Sequence, residues 1–183
     1  MVSSIAQNGP ISDSLPPVFD EGRGRWHVLH TKSRQEKILS ADLTAMGLFH
    51  YLPLVRQIRH YGRRKTTVEI PLFAGYIFLR ATLDAAYQAD RTHRVAHIIR
   101  VPNQQQLQRE LLNLHLALES GNDVTPFPFL KNGVRAEVKS GPLRGLQGVI
   151  ENRANAGRLI LQVEMLGRAV SLEIDGALLE PLE

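Results

Sequence analysis

Seven histidines are the side chains best suited to catalysis or metal binding in this 183-residue chain: His27, His30, His50, His60, His93, His97 and His115. Their spacing does not assemble a site. His27 and His30 stand three apart in a β-rich run and so point to opposite faces of a strand. Neither HExxH nor HxxEH occurs, so a metallohydrolase is disfavoured and most histidines are read as surface or satisfied core residues. Gly141-Pro142-Leu143-Arg144-Gly145-Leu146-Gln147-Gly148 is glycine-rich. It lacks the Gly-Lys-Ser/Thr of a phosphate loop and lies between strands rather than before a helix, so it does not cradle a nucleotide in the usual way. There is no G-x-S-x-G elbow. There is no cysteine, which excludes disulfides, cysteine zinc sites and thiol catalysis and fits a cytoplasmic location. No catalytic residue, metal or cofactor is assigned, and a binding protein rather than an enzyme is expected.

Charge points to the partner. The net charge is only +4, but residues 25–100 carry net +8, residues 1–24 and 101–130 carry net −2 each, and residues 131–183 are neutral. A basic first half joined to a neutral second half suggests two modules, one facing a polyanion. No apolar run approaches the ~18 residues of a membrane-spanning helix. Met1 to Pro17 lacks a basic and then apolar leader, so no secretory signal is read.

Elements that would position these groups follow from periodicity. Residues 1–24, rich in Ser, Pro, Gly and Asp, read as a disordered arm. Arg25 to Thr31 reads as a strand. Ser33 to Met46 reads as a helix, with Ser33 and Glu36 as a capping box and Gly47 as its C-terminal stop. Val55–His60 and Thr66–Ile70 read as a hairpin with a basic tip, Tyr61-Gly62-Arg63-Arg64-Lys65. Ala74 to Arg80 is the most apolar strand, with Tyr76 and Phe78 on one face and Gly75, Ile77 and Leu79 on the other, so both faces need a cover. Thr82 caps a helix to Arg91. Val95 to Val101 is a strand. Asn103 to Glu119 is a helix with Leu107, Leu111, Leu114 and Leu118 on one face. This order predicts an α+β fold, an antiparallel sheet sandwiched by helices over 25–120. Residues 121–132 read as a linker. Five short strands over 133–183, at Val134–Lys139, Leu146–Asn152, Arg158–Met165, Ala169–Ile174 and Leu178–Leu182, predict a small closed β-barrel.

The alternation Val134-Arg135-Ala136-Glu137-Val138-Lys139, then Gly141, Gly145 and Gly148 with Val149-Ile150, resembles the KOW motif of SH3-like barrels. Upstream, Trp26-His27-Val28-Leu29-His30-Thr31-Lys32 followed by the Glu36-Lys37 helix resembles the opening of a NusG N-terminal domain. Pro71-Leu72-Phe73-Ala74-Gly75-Tyr76-Ile77-Phe78 is similar to that family's signature, with Ala74 in place of its second proline. Tyr51-Leu52-Pro53 and Arg94-Val95 fit the flanking strands. The chain is thus identified over residues 25–182 as similar to the NusG/RfaH family of transcription elongation factors.

The resemblance implies a monomer that binds the clamp helices of the largest RNA polymerase subunit, suppresses pausing, and recruits Rho or ribosomal protein S-ten through the KOW domain. On the residues alone, Tyr76 and Phe78 pack under the Leu107–Leu118 helix. The resemblance makes them polymerase anchors, with Ile99, Val101, Leu107 and Leu111 completing the pocket. Lys32, Arg34, Arg63, Arg64 and Lys65 are expected to line a nucleic-acid side, and the resemblance puts Lys32, and nearby His93 and Arg94, where members of the family contact non-template DNA. The basic tip reads equally well as a solvated turn. A Thr/Ser-rich patch used by some members against the opposite side of the polymerase cleft is not matched at Ala85-Ala86-Tyr87. A specialised antitermination paralogue is the leading reading. A housekeeping factor acting with Rho and a ribosome- or RNA-binding KOW protein without polymerase contact are the alternatives.

Overall fold

The computed structural model describes residues 15–151 and 157–182. The first 14 residues of the expected arm, and the strand ends placed at Asn152, lie outside the described residues. The first sheet has the order β2-β5-β1-β6, from β1 (Arg25–Thr31), β2 (Phe49–Tyr51), β5 (Tyr76–Ala81) and β6 (Val95–Arg100). Its strand pairings are all antiparallel. The hairpin β3 (Leu54–Tyr61) and β4 (Arg64–Pro71) forms a separate two-stranded ribbon.

Helices cover both faces of the first sheet, because both faces are apolar. α1 (Glu36–Ala45) and α2 (Leu83–Asp90) supply Leu39, Leu43, Ala86 and Ala89 to one core with Leu29, Ile77 and Leu79. On the opposite face α3 (Gln104–Glu119) buries Leu107, Leu111 and Leu114 in a cluster with Trp26, Val28 and Phe78. Thr82 and Asn103 cap α2 and α3 as their side chains allow, accepting the N–H groups of Ala85 (3.3 Å) and Gln106 (3.0 Å). The Ser33–Glu36 capping box does not form. α1 begins at Glu36 after Gln35, with no side-chain cap, because the Glu36 carboxylate is buried and accepts the Gly75 N–H at 2.6 Å.

Two expectations are corrected. The arm is not disordered throughout: Pro17–Phe19 and Glu21–Arg23 form short helical turns, and Val18 and Phe19 are buried. The Phe19 ring lies 5.4 Å from those of Tyr51 and His115 and 6.0 Å from that of Trp26, and the Phe19 carbonyl accepts Gln108 Nε2 at 2.9 Å. Three aromatic neighbours and a hydrogen bond from Gln108 thus outweigh the loss of chain entropy.

The second correction concerns the C-terminal sheet. It has six strands rather than five, ordered β12-β8-β9-β10-β11-β7, with β8 (Val134–Val138), β9 (Gln147–Ile150), β10 (Arg158–Val163), β11 (Arg168–Glu173) and β12 (Leu179–Pro181). The sixth, β7 (Val124–Phe127), comes from the expected linker and pairs with β11. It is an end strand, where Pro126 costs no ladder bond on its outer side. Among the described residues the end strands β12 and β7 are not paired with each other, so the sheet is not closed by hydrogen bonds. Gly141 and Gly145 have φ of 85° and 88° in the β8–β9 connection. Gly148 answers a different need: a Cβ there would stand 2.7 Å from the Ile160 carbonyl oxygen.

This sheet rests on the outer flank of α3. Gln106 Nε2 donates to the Glu164 carboxylate, the Glu164 N–H lies 3.3 Å from both Glu110 carboxylate oxygens, and the Gln147 N–H donates to Asn113 Oδ1 at 3.3 Å. Among the described residues no helix is long and apolar enough to cross a membrane.

Candidate functional site

Strand register decides which aromatic groups meet. Tyr76 on β5 and His97 on β6 are both paired with His30 on the central strand β1. The three side chains therefore project from the same face and stack in a row. Ring centroids are 5.1 Å apart for Tyr76–His30 and 6.1 Å for His30–His97, with interplanar angles of 27° and 15°. His97 is exposed, while His30, Tyr76 and Ile99 are half-buried. This open aromatic row lies on the α3 side of the sheet, the face that also carries Val28, Phe78 and Ile99.

Four of the six residues expected to anchor a partner are placed elsewhere. Phe78, Val101, Leu107 and Leu111 are at most 2% exposed. They pack together between the sheet and α3, as the leucine repeat of α3 alone indicates. Phe78 also meets Phe73 edge-on, with centroids 6.4 Å apart. Tyr76 and Ile99 remain accessible in part. His30 and His97 were not among the expected anchors, because histidines this far apart show no pattern in sequence. Only the pairing of β1 with its two neighbours brings them together.

The ordered arm closes the other end of this layer. Gln108 on α3 is its hub: Oε1 accepts Trp26 Nε1 at 2.6 Å and Arg80 Nη1 at 2.5 Å, while Nε2 holds the Phe19 carbonyl. Burial, helped by the nearby Glu119 charge, pushes the Tyr51 phenol well above its usual range. Burial likewise lowers His115, partly opposed by Glu119, and lowers His27, partly opposed by a hydrogen bond to the Ala81 backbone. Burial of Tyr51 and His115 suits a packed layer.

The expected nucleic-acid residues divide between two elements. Lys32, Arg34 and His93 are exposed on the β1–α1 and α2–β6 connections. The Lys32 N–H donates to the Arg94 carbonyl at 2.8 Å and so joins these connections. Arg34 and His93, each with φ of 59°, are the non-glycine residues with left-handed backbone among the described residues. That conformation is uncommon for such side chains and clusters at functional sites. Arg94 is placed differently. Its guanidinium is committed to Asp42 (2.6 Å) and Gln35 (2.6 Å), so it braces α1 rather than standing free for a phosphate. Arg63, Arg64 and Lys65 are exposed at the ribbon tip.

Among the described residues no group of three or more His, Asp or Glu could hold a metal ion. A cavity of about 590 Å³ lies between α3 and the C-terminal sheet, where Arg109, Glu110, Lys131 and Arg135 mix both charges.

No curated protein matches the chain significantly. A family model described as transcription termination factor nusG matches residues 24–113, from the start of β1 to the middle of α3. The matched span holds the four-stranded sheet, the ribbon, the aromatic row and the Lys32–His93 patch. Over this span, just under half of its length, the chain matches the NusG family of transcription factors.

Proposed function

We propose that the chain is a transcription elongation and antitermination factor of the specialised type, which seats a helical element of RNA polymerase on the open row Tyr76–His30–His97 with Ile99 beside it. The observation that carries this reading is that row: a partly exposed aromatic strip across β5, β1 and β6, within the span matched by the family model. Aromatic side chains anchor interfaces because they bury large area at little entropic cost. The clamp helices of the largest subunit are the partner that the family resemblance supplies. Phe78, Val101, Leu107 and Leu111 hold the sheet and α3 beneath the row rather than touching the partner.

On this reading the factor makes and breaks no bond. It suppresses pausing by holding polymerase and nucleic acid together, with Lys32, Arg34 and His93 toward the non-template strand and Arg63, Arg64 and Lys65 on the ribbon as a second basic contact. The C-terminal sheet, as a KOW module, recruits Rho or ribosomal protein S-ten. Charge reversal of Lys32, Arg63, Arg64 and Lys65 to Glu should reduce antipausing on a transcription template while binding to an isolated clamp-helix fragment survives. Unchanged pausing at low salt would make the basic groups a solvated surface.

A further inference from the structure

The β3–β4 ribbon carries more than charge. From Gln57 to Val68 it has no carboxylate and four cations, Arg59, Arg63, Arg64 and Lys65. The ion pair recorded within the ribbon, Arg56–Glu69 at 3.5 Å, lies nearer its base. Tyr61 is paired across the strands with Arg64, and Arg59 with Thr66. Alternation therefore places Arg59, Tyr61, Arg64 and Thr66 on one face. Gly62, with φ of 60°, takes the first central position of the turn, where a primed hairpin turn accepts glycine, and puts Arg63 at the tip. Tyr61 is 60% exposed, so its ring stands open between guanidinium groups.

We propose that this face binds single-stranded nucleic acid, with an unpaired base stacked on Tyr61 and the flanking phosphates met by Arg59, Arg63 and Arg64. The assignment rests on the reading of the basic half as a nucleic-acid surface and names the ligand class and the residues on the ribbon. Cations alone attract any phosphate backbone, duplex or single strand. An open phenol ring adds selectivity, because a duplex keeps its base faces inside the stack whereas a single strand presents them. Four cations without a carboxylate complement a polyanion and disfavour an apolar protein partner at the same place. Every base has a π-face, so the contact is tolerant of sequence and accepts DNA or RNA.

The test uses the full chain and labelled oligo-dT, oligo-U and a mixed-sequence duplex, each of about 12 nucleotides or base pairs, read by fluorescence anisotropy over a range of salt. Tyr61→Ala should weaken binding of both single strands about fivefold or more and leave the duplex little changed. Tyr61→Phe should bind like the parent. Arg59→Gln with Arg64→Gln should weaken every ligand and lower the single-strand salt slope by about 1.4. Parent-like single-strand binding by folded Tyr61→Ala, or an equal loss on duplex, would overturn the site. If Lys32→Glu with Arg34→Glu abolishes binding while Tyr61→Ala is neutral, the ribbon assignment fails and the basic-half reading stands. If the parent binds no nucleic acid and the ribbon variants instead lose polymerase, both fail in favour of a protein contact.

Discussion

The Glu36 carboxylate, at the first residue of α1, accepts the backbone N–H of Gly75 at 2.6 Å and thereby ties a helix start to the loop that delivers Tyr76. Glu36 is 7% exposed, so this is a charge-assisted bond in a desolvated place. The loop reaches the aromatic row directly, since a Cβ on Gly75 would touch the His30 ring at 3.5 Å. Glu36→Ala should cost roughly 2 kcal/mol of stability and leave the Gly75 N–H without its partner. Glu36→Gln, which keeps an acceptor oxygen, should cost less. Chemical denaturation of the two variants checks the order, and equal losses would show that the acceptor does not matter.

Arg94 separates bracing from nucleic-acid contact. Its bonds to Asp42 and Gln35 are intramolecular and about one third exposed, so Arg94→Ala should cost on the order of 1 kcal/mol. It should not alter the salt slope of nucleic-acid binding, whereas Arg34→Ala should lower the slope with little change in melting temperature. A slope change in Arg94→Ala equal to that in Arg34→Ala would return Arg94 to the nucleic-acid side.

Phe19 tests whether the arm belongs to the fold. A buried Phe→Ala change costs roughly 3 kcal/mol, and Phe19 is 5% exposed against Trp26, Tyr51 and His115. Phe19→Ala should lower the melting temperature by several degrees and make Tyr51 more accessible to chemical nitration. A melting temperature like the parent's would show that the segment packs without stabilising.

Glu110 gives a pH signature. Burial, with the Glu164 charge adding to it, raises its carboxyl, while hydrogen bonds from Gln106 and the Glu164 backbone oppose the rise. A carboxyl raised in the folded state holds its proton to higher pH than in the unfolded chain. Folding is therefore favoured as pH falls through the raised value, and the gain is complete below the ordinary 4.5. Glu110→Gln mimics the protonated form and should melt higher than the parent near neutral pH. That gap should shrink as pH falls toward 4.5. A gap that stays constant across this window would show that Glu110 ionisation is not coupled to the packing of the C-terminal sheet on α3.

Local signals were legible where the chain satisfies itself locally. β1 runs from Arg25 to Thr31 as its β-rich composition indicates, and Thr82 and Asn103 cap their helices because a short oxygen side chain finds a free N–H three residues on. The Ser33–Glu36 box failed for a tertiary reason: Gly75, 39 residues away, takes the Glu36 carboxylate. β7 was hidden by Pro126, which marks a linker in sequence but is tolerated on an end strand. The aromatic row needed register, since nothing in the spacing of His30, Tyr76 and His97 shows that β1 lies between the other two strands. Phe78, expected on an open face, is fully buried, because alternation fixes a face but not which part of that face a helix covers.

The central claim is that the open row Tyr76–His30–His97 is the polymerase anchor. Its most direct test is the affinity of the full chain for a clamp-helix fragment, measured for the parent, Tyr76→Ala and His97→Ala by titration calorimetry, with folding checked by circular dichroism. The account predicts a loss of about 30-fold for Tyr76→Ala, as for an interface hot spot, and a smaller loss for His97→Ala. Parent-like affinity in both folded variants would contradict it.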